Sequence, residues 1–266
     1  MSIPASEAAA ILSVSSGALV GFSLGLIGGG GSILAVPLMA YLIGLSPHVA
    51  IGTSAVAVAA SALANLAGHA RAGNVKWPCA LAFGLSGMAG AAAGAQVGKA
   101  VDGQALLGAF GVLMLVVAGL MVLPRRGGHD AEVRLTRASA TRLLPPLAAT
   151  GFGVGALSGF FGIGGGFLIV PGLISATAMP LLNAIGSSLV SVFVLGATTA
   201  SSYALSGLVE WRVAGFFVIG GVVGGYAGVR AATVLAARKR LLALVFSAMV
   251  AAVGLYMMTR AFARLL

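Results

Sequence analysis

Gly28-Gly29-Gly30-Gly31-Ser32-Ile33-Leu34-Ala35-Val36-Pro37 returns later in the chain as Gly162-Ile163-Gly164-Gly165-Gly166-Phe167-Leu168-Ile169-Val170-Pro171. The register then holds without a gap. Ile51-Gly52-Thr53-Ser54 corresponds to Ile185-Gly186-Ser187-Ser188, and Gly73, Val75 and Trp77 correspond to Gly207, Val209 and Trp211. Each pair is 134 positions apart, as Pro37 and Pro171 are. The chain is a duplicated unit, and each copy interrupts an apolar run with glycines. Broken helices where two repeats meet are a common way to build a site near the middle of a bilayer.

Composition says which solvent surrounds those helices. Of 266 residues 59% are hydrophobic and 8% charged, against roughly 25% charged in ordinary soluble domains. A chain of this length has no core large enough to hide so much apolar surface, so lipid must cover it. Runs of Ala, Leu, Gly and Val without strand alternation predict an all-α polytopic membrane protein rather than a barrel. The net charge of +10 does not signal nucleic acid. Arg125, Arg126, Arg134, Arg137 and Arg142 share one hydrophilic stretch and Arg238-Lys239-Arg240 another, the pattern of cytoplasmic loops. The single Cys79 permits no internal disulfide and offers no thiol pair. Glu7, with no basic residue before the first apolar run, makes a poor signal peptide, so that run is expected to be a retained span.

Each half reads as five helical elements, near 8–27, 31–44, 49–70, 78–99 and 104–123, then 147–161, 165–178, 183–205, 213–235 and 241–263. Repeat one is expected over 1–123, a charged cytoplasmic linker over 124–144 and repeat two over 145–266. The second element of each half is too short to cross: about 14 residues reach roughly 21 Å of a ~30 Å core. It is expected to be a tilted or broken helix near the repeat interface, enclosed by protein or lining a wet cavity. If each half changes side an odd number of times, Arg71, Lys76, the linker arginines and Arg238-Lys239-Arg240 fall on one side. The positive-inside rule then predicts two inverted repeats, with the linker cytoplasmic and both termini outside.

Four consecutive glycines in a helix need a reason, since each costs roughly 1 kcal/mol relative to alanine. A break would expose N–H donors at the start of the next helix, suited to an oxyanion. Gly28, Gly29, Gly30, Gly31 and Ser32, with Gly162, Gly164, Gly165 and Gly166, are the candidate backbone donors. Thr53, Ser54, Ser187 and Ser188 are the candidate hydroxyl donors, although such hydroxyls also cap helices or bond back one turn. Close packing through small residues explains Gly17, Gly21, Gly25, Gly87, Gly90 and Gly94, spaced at three or four, better than it explains the consecutive run.

Every acidic residue lies at an element end or in a loop, so a carboxylate proton relay is not expected. His48 and His69 are the remaining candidates, and their position near element ends predicts interfacial side chains. Arg71, Lys76 or Arg212 near the mouths would attract anions. Gly84-Leu85-Ser86-Gly87 fits a G-x-S-G pattern, yet no histidine occurs in any later span to serve as base. The glycine runs lack the strand–loop–helix setting and Gly-Lys-Ser/Thr of nucleotide sites. No catalytic residue, cofactor or metal is expected.

These residues resemble the sulfite exporter TauE/SafE permeases. The likeness rests on Gly25-x-x-Gly28-Gly29-Gly30-Gly31-Ser32-x-x-x-Val36-Pro37 with Ala50-Ile51-Gly52-Thr53-Ser54. Its echo is Gly159-x-x-Gly162-Ile163-Gly164-Gly165-Gly166-x-x-x-Val170-Pro171 with Ala184-Ile185-Gly186-Ser187-Ser188. The resemblance implies an inner-membrane permease of seven or eight spans that moves sulfite, sulfonates or similar anions, often outward. The expectation is therefore export of a small anionic substrate by alternating access, with lipid as the other partner and no nucleic acid. An importer or channel for another solute, Na⁺-coupled or not, and a non-transporting assembly protein are the alternatives.

Overall fold

The computed structural model describes residues 5–27, 32–122, 135, 137–162, 166–234 and 239–265. Ten helical elements follow in order: α1 (Ala5–Ile27), α2 (Ser32–Leu42), α3 (Pro47–Arg71), α4 (Trp77–Ala100), α5 (Gly103–Val122), α6 (Arg137–Phe161), α7 (Gly166–Thr177), α8 (Leu181–Leu205), α9 (Trp211–Val234) and α10 (Lys239–Leu265). No strand occurs among the described residues. Seven of these helices, α1, α3, α4, α5, α6, α8 and α9, are long and apolar enough to cross a membrane. The all-α polytopic membrane class is borne out.

The short second elements are present in both halves. Pro37 supplies no N–H, and immediately after it α2 widens into a π-turn over Leu38–Leu42. Ile43 N–H reaches back to Leu38 O and Leu45 N–H to Met39 O, both at 3.0 Å. Its counterpart Pro171 sits within an α-helix of 12 residues. One boundary differs from expectation: α6 begins at Arg137, inside the stretch read as linker. A charged first turn at Arg137 to Arg142 is compatible with a helix that starts in water and enters lipid later. Pro145 and Pro146 are accommodated within it.

The strongest helix pairings all join one repeat to the other. α1 packs along α9, and its equivalent α6 packs along α4. A Cβ on Gly21 would overlap the backbone of Gly221, and one on Gly155 would overlap that of Gly87. Subtracting or adding 134 converts one contact into the other. Gly17, Gly21 and Gly25 meet Phe217, Gly221 and Gly225 in ascending order, so α1 and α9 run parallel. Without side chains between them the backbones approach closely enough for dispersion and Cα–H···O contact, which is what holds helices together in lipid.

The next two pairs join elements that are equivalent to each other. α3 packs against α8 with Gly52 at Tyr203 and Gly196 at Ala59, which is antiparallel. α5 packs against α10, also antiparallel, with Gly111 at Gly254 and Ser247 Oγ donating to Ala118 O at 2.7 Å. Within its span 72% of α3 is buried, against 39% for α5. α3 is therefore the central helix and α5 a peripheral one.

Candidate functional site at the repeat interface

The second turns of α3 and α8 carry the candidate hydroxyls, and all four are buried. Thr53 Oγ1 accepts the Glu210 N–H at 2.9 Å, and the equivalent Ser187 Oγ accepts the Lys76 N–H at 2.8 Å. Glu210 and Lys76 are themselves 134 positions apart. The residue before each hydroxyl is glycine because the same loop presses on it. Gly52 lies against the Leu208 carbonyl, and Gly186 against the Asn74 carbonyl, 2.6 Å from where a Cβ would stand. Each repeat thus holds the loop after the other repeat's long helix. A hydroxyl that accepts one bond still has its hydrogen to donate. Those of Thr53 and Ser187 are bound to no protein acceptor among the described residues.

Ser54 is placed differently. Its Oγ donates to Ile51 O at 2.9 Å and lies 3.2 Å from Gly162 O. Gly162 turns the chain between α6 and α7 with φ +68 and rests on Ile51. The end of α6, in the second repeat, therefore touches the second turn of α3, in the first. Ser188 Oγ bonds back to Ile185 O at 2.7 Å. Ser32 is buried at the start of α2, and Gly166 is buried at the start of α7. Gly28, Gly29, Gly30, Gly31, Gly164 and Gly165 lie outside the described residues.

These residues form two clusters. Thr53, Ser54 and Gly162 share one end of the α3–α8 pair, and Ser187 and Ser188 the other. The contact of Gly196 with Ala59 sets Ser188 level with about Ala67, some thirteen residues from Ser54. At 1.5 Å per residue the clusters stand roughly 20 Å apart along the helices. The arrangement is a pair of related clusters, one in each repeat.

Sequence reasoning missed a cavity of about 540 Å³ where α2 ends and where α3 and α5 begin. Tyr41, Ser46, Gln104, Tyr256 and Arg260 line it. Arg260 stands 5.4 Å above the Tyr256 ring, and Tyr41 meets the same ring edge-on at 5.4 Å. The cavity opens at the start of α5, the end opposite the linker. A guanidinium beside hydroxyls and a carboxamide suits an anion. Arg260 was not legible as a site residue, because the residues around it come from separate elements of the chain.

His69 also departs from expectation. It is 4% exposed, enclosed rather than interfacial. His48 is half-buried, with Nε2 3.1 Å from Val101 O. Ser86, the serine of the G-x-S-G pattern, donates to Phe83 O at 2.9 Å one turn back.

Repeats that interlock helix for helix, with glycine–hydroxyl clusters buried where they meet, define an internally duplicated integral membrane protein. The chain belongs to the sulfite exporter TauE/SafE family, whose model matches residues 13–257. It is a multi-pass membrane transporter of that type. It is 50% identical over 256 residues to a probable membrane transporter protein of Xylella fastidiosa strain 9a5c, covering 96% of this chain and 97% of the relative. Similarity reaches 29% over 230 residues with the probable membrane transporter protein YunE of Bacillus subtilis, covering 80% and 84%. It reaches 27% over 180 residues with MJ0441 of Methanocaldococcus jannaschii, covering 64% of each chain. No solved structure matches.

Proposed function

We propose that this transporter exports a small oxyanion, sulfite or an organosulfonate, across the inner membrane by alternating access between inverted repeats. The observation that carries the reading is the reciprocal pair of half-sites. Thr53 and Ser187 each retain a hydroxyl hydrogen in a buried, glycine-lined place at the repeat boundary. Backbone donors of the glycine runs Gly28 to Gly31 and Gly164 to Gly166 would complete each half-site. An anion would meet one half-site from each side in turn as the repeats rock.

Inversion is supported by the antiparallel packing of equivalent helices, α3 on α8 and α5 on α10. With the linker cytoplasmic, Arg71 and Lys76 share its side, and the Arg260 cavity becomes the outer mouth. An inside-negative potential then favours outward movement of one negative charge by about 2.3 kcal/mol per 100 mV. No carboxylate relay is required for export. The experiment is counterflow of labelled sulfite into proteoliposomes preloaded with sulfite, taurine or sulfoacetate. Uptake driven by one or more of these, and not by chloride, is the expected result. Uptake that ignores every internal anion would remove the substrate class from the account.

A further inference from the structure

The central helix α3 carries a polar stripe that the hydroxyl clusters do not use. Ser61, Asn65 and His69 follow one another at four-residue spacing and so share one face. They are 1%, 4% and 4% exposed. That face fits into α9: a Cβ on Gly221 would strike Ser61 Oγ, and one on Gly225 would strike the Asn65 carboxamide. The His69 ring approaches the backbone of α1 at Gly25 without a well-formed hydrogen bond. Ser61 Oγ, Asn65 Nδ2 and both ring nitrogens of His69 have no hydrogen-bond partner among the described residues. Buried polar atoms are rarely left in that state, because desolvation is then uncompensated.

The duplication provides an internal control. The equivalent face of α8 carries Leu195, Thr199 and Tyr203. Leu195 packs on Gly87, and Thr199 bonds back to Leu195 O at 3.0 Å. The Tyr203 hydroxyl is also unpaired, but it stands at the helix end beside Gly98, with Lys99 5.9 Å from its ring. The same groove is therefore filled by an aliphatic side chain, a self-satisfied hydroxyl and an aromatic ring. Close packing does not require the polar trio of α3.

Resting on the transport reading above, we propose that His69 is a proton-binding site inside the membrane domain, that Asn65 and Ser61 extend it along α3, and that its protonation promotes anion loading from the linker side. A neutral imidazole takes one proton from water at the linker-side end of α3, two residues beyond His69, and returns it there. The anion still moves alone, so flux stays electrogenic. Among the described residues of the elements packed on α3, no acid stands by to neutralise the imidazolium. The titratable or charged residues of α1 and α8 are Glu7 and Tyr203, both at the far ends of those helices. Those of α9 are Arg212, also at the far end, with Tyr226 and Arg230, which are exposed and stack at 4.5 Å. α2 offers Tyr41, α5 offers none, and Arg71 of α3 itself is exposed. The counter-charge is left to the passing anion, which links the two binding events.

Two measurements test this, one of them independent of transport. The chain has three histidines, so ¹⁵N-histidine-labelled H48Q/H129Q protein in lipid nanodiscs leaves a single imidazole signal. It is expected to pass reversibly from neutral to imidazolium between pH 8 and pH 5. A signal that keeps one form throughout, in folded protein, overturns the site. In proteoliposomes with the potential clamped, sulfite efflux is compared between wild type and H69Q at linker-side pH 7.5 and 5.5. Sulfite itself changes protonation in this range, so the readout is the wild-type to H69Q ratio at each pH. A histidine that takes up its proton between these two pH values makes that ratio rise severalfold on acidification. A constant ratio overturns the coupling even if His69 titrates. The S61L/N65T/H69Y variant copies the face that α8 already packs, and is expected to fold and to behave as H69Q does. If wild-type protein passes no sulfite, the anion reading fails, and the imidazole signal alone decides the proton site.

Discussion

The hydroxyl of Thr53 accepts the backbone N–H of Glu210 at 2.9 Å, across the boundary between the two repeats. Its equivalent, Ser187 with Lys76, repeats the bond at 2.8 Å in the opposite sense. Two identical clasps, each made by one repeat on the other, fix the loops that follow α3 and α8. The hydroxyls proposed to meet the anion are thus positioned by backbone that belongs to the other half. Movement of one repeat against the other would alter both clasps together.

Replacing Thr53 with valine keeps the shape and deletes the acceptor, leaving the Glu210 N–H unpaired. We expect a loss of about 1–3 kcal/mol in unfolding free energy, with Thr53→Ser near wild type. Ser187→Ala should cost a similar amount. Because the two clasps share no partner, the double variant should lose close to the sum. Denaturant unfolding in detergent micelles checks this, and a loss well below the sum would show that the clasps are coupled.

Gly21→Ala and Gly155→Ala each place a methyl group inside a facing backbone, at Gly221 and Gly87 respectively. Neither neighbour has a flexible end that can yield. Both should destabilise the fold by about 1–3 kcal/mol. Gly153→Ala meets no atom within 4 Å and should leave thermal stability unchanged or slightly raised.

Arg260→Gln removes the positive charge from the cavity opposite the linker. Anion uptake from that side should fall about tenfold at low ionic strength, and the difference should shrink as salt rises. Arg260→Lys should retain most of the rate. An Arg260→Gln variant with unchanged, salt-independent uptake would remove the cavity from the pathway.

The inverted orientation is open to labelling. In a Cys79→Ser background, Arg71→Cys and Ser206→Cys place thiols at exposed positions at the ends of the equivalent helices α3 and α8. A membrane-impermeant maleimide added to intact cells should label Ser206→Cys and spare Arg71→Cys until the cells are opened. Labelling of both from one side would contradict inversion.

Much of this was legible in the sequence. Apolar runs and the 134-residue offset located the ten helical elements described, and the glycines at 17, 21 and 25 were legible as a packing stripe. Their partner α9 was not, because it lies in the other repeat and only the folded chain brings it near. The hydroxyls Thr53, Ser54, Ser187 and Ser188 were legible as candidates from their recurrence. Their division into two clusters was not, because antiparallel packing of α3 on α8 carries the equivalent positions apart. His69 looked interfacial because it stands near a helix end. Cover from α1 and α9, which linear spacing does not encode, buries it. The start of α6 was missed because its first residues, Arg137 to Arg142, read as charged linker; the helix begins there and carries Pro145 and Pro146 inside it.

The most direct measurement is efflux of labelled sulfite from proteoliposomes under an imposed inside-negative potential, comparing wild type with the Gly30→Val/Gly164→Val variant. Wild-type efflux is expected to accelerate with the potential and to be lost in the variant, although the variant is folded and inserted. Equal efflux from both proteins, or wild-type efflux indifferent to the potential, would contradict an electrogenic anion path through the glycine breaks.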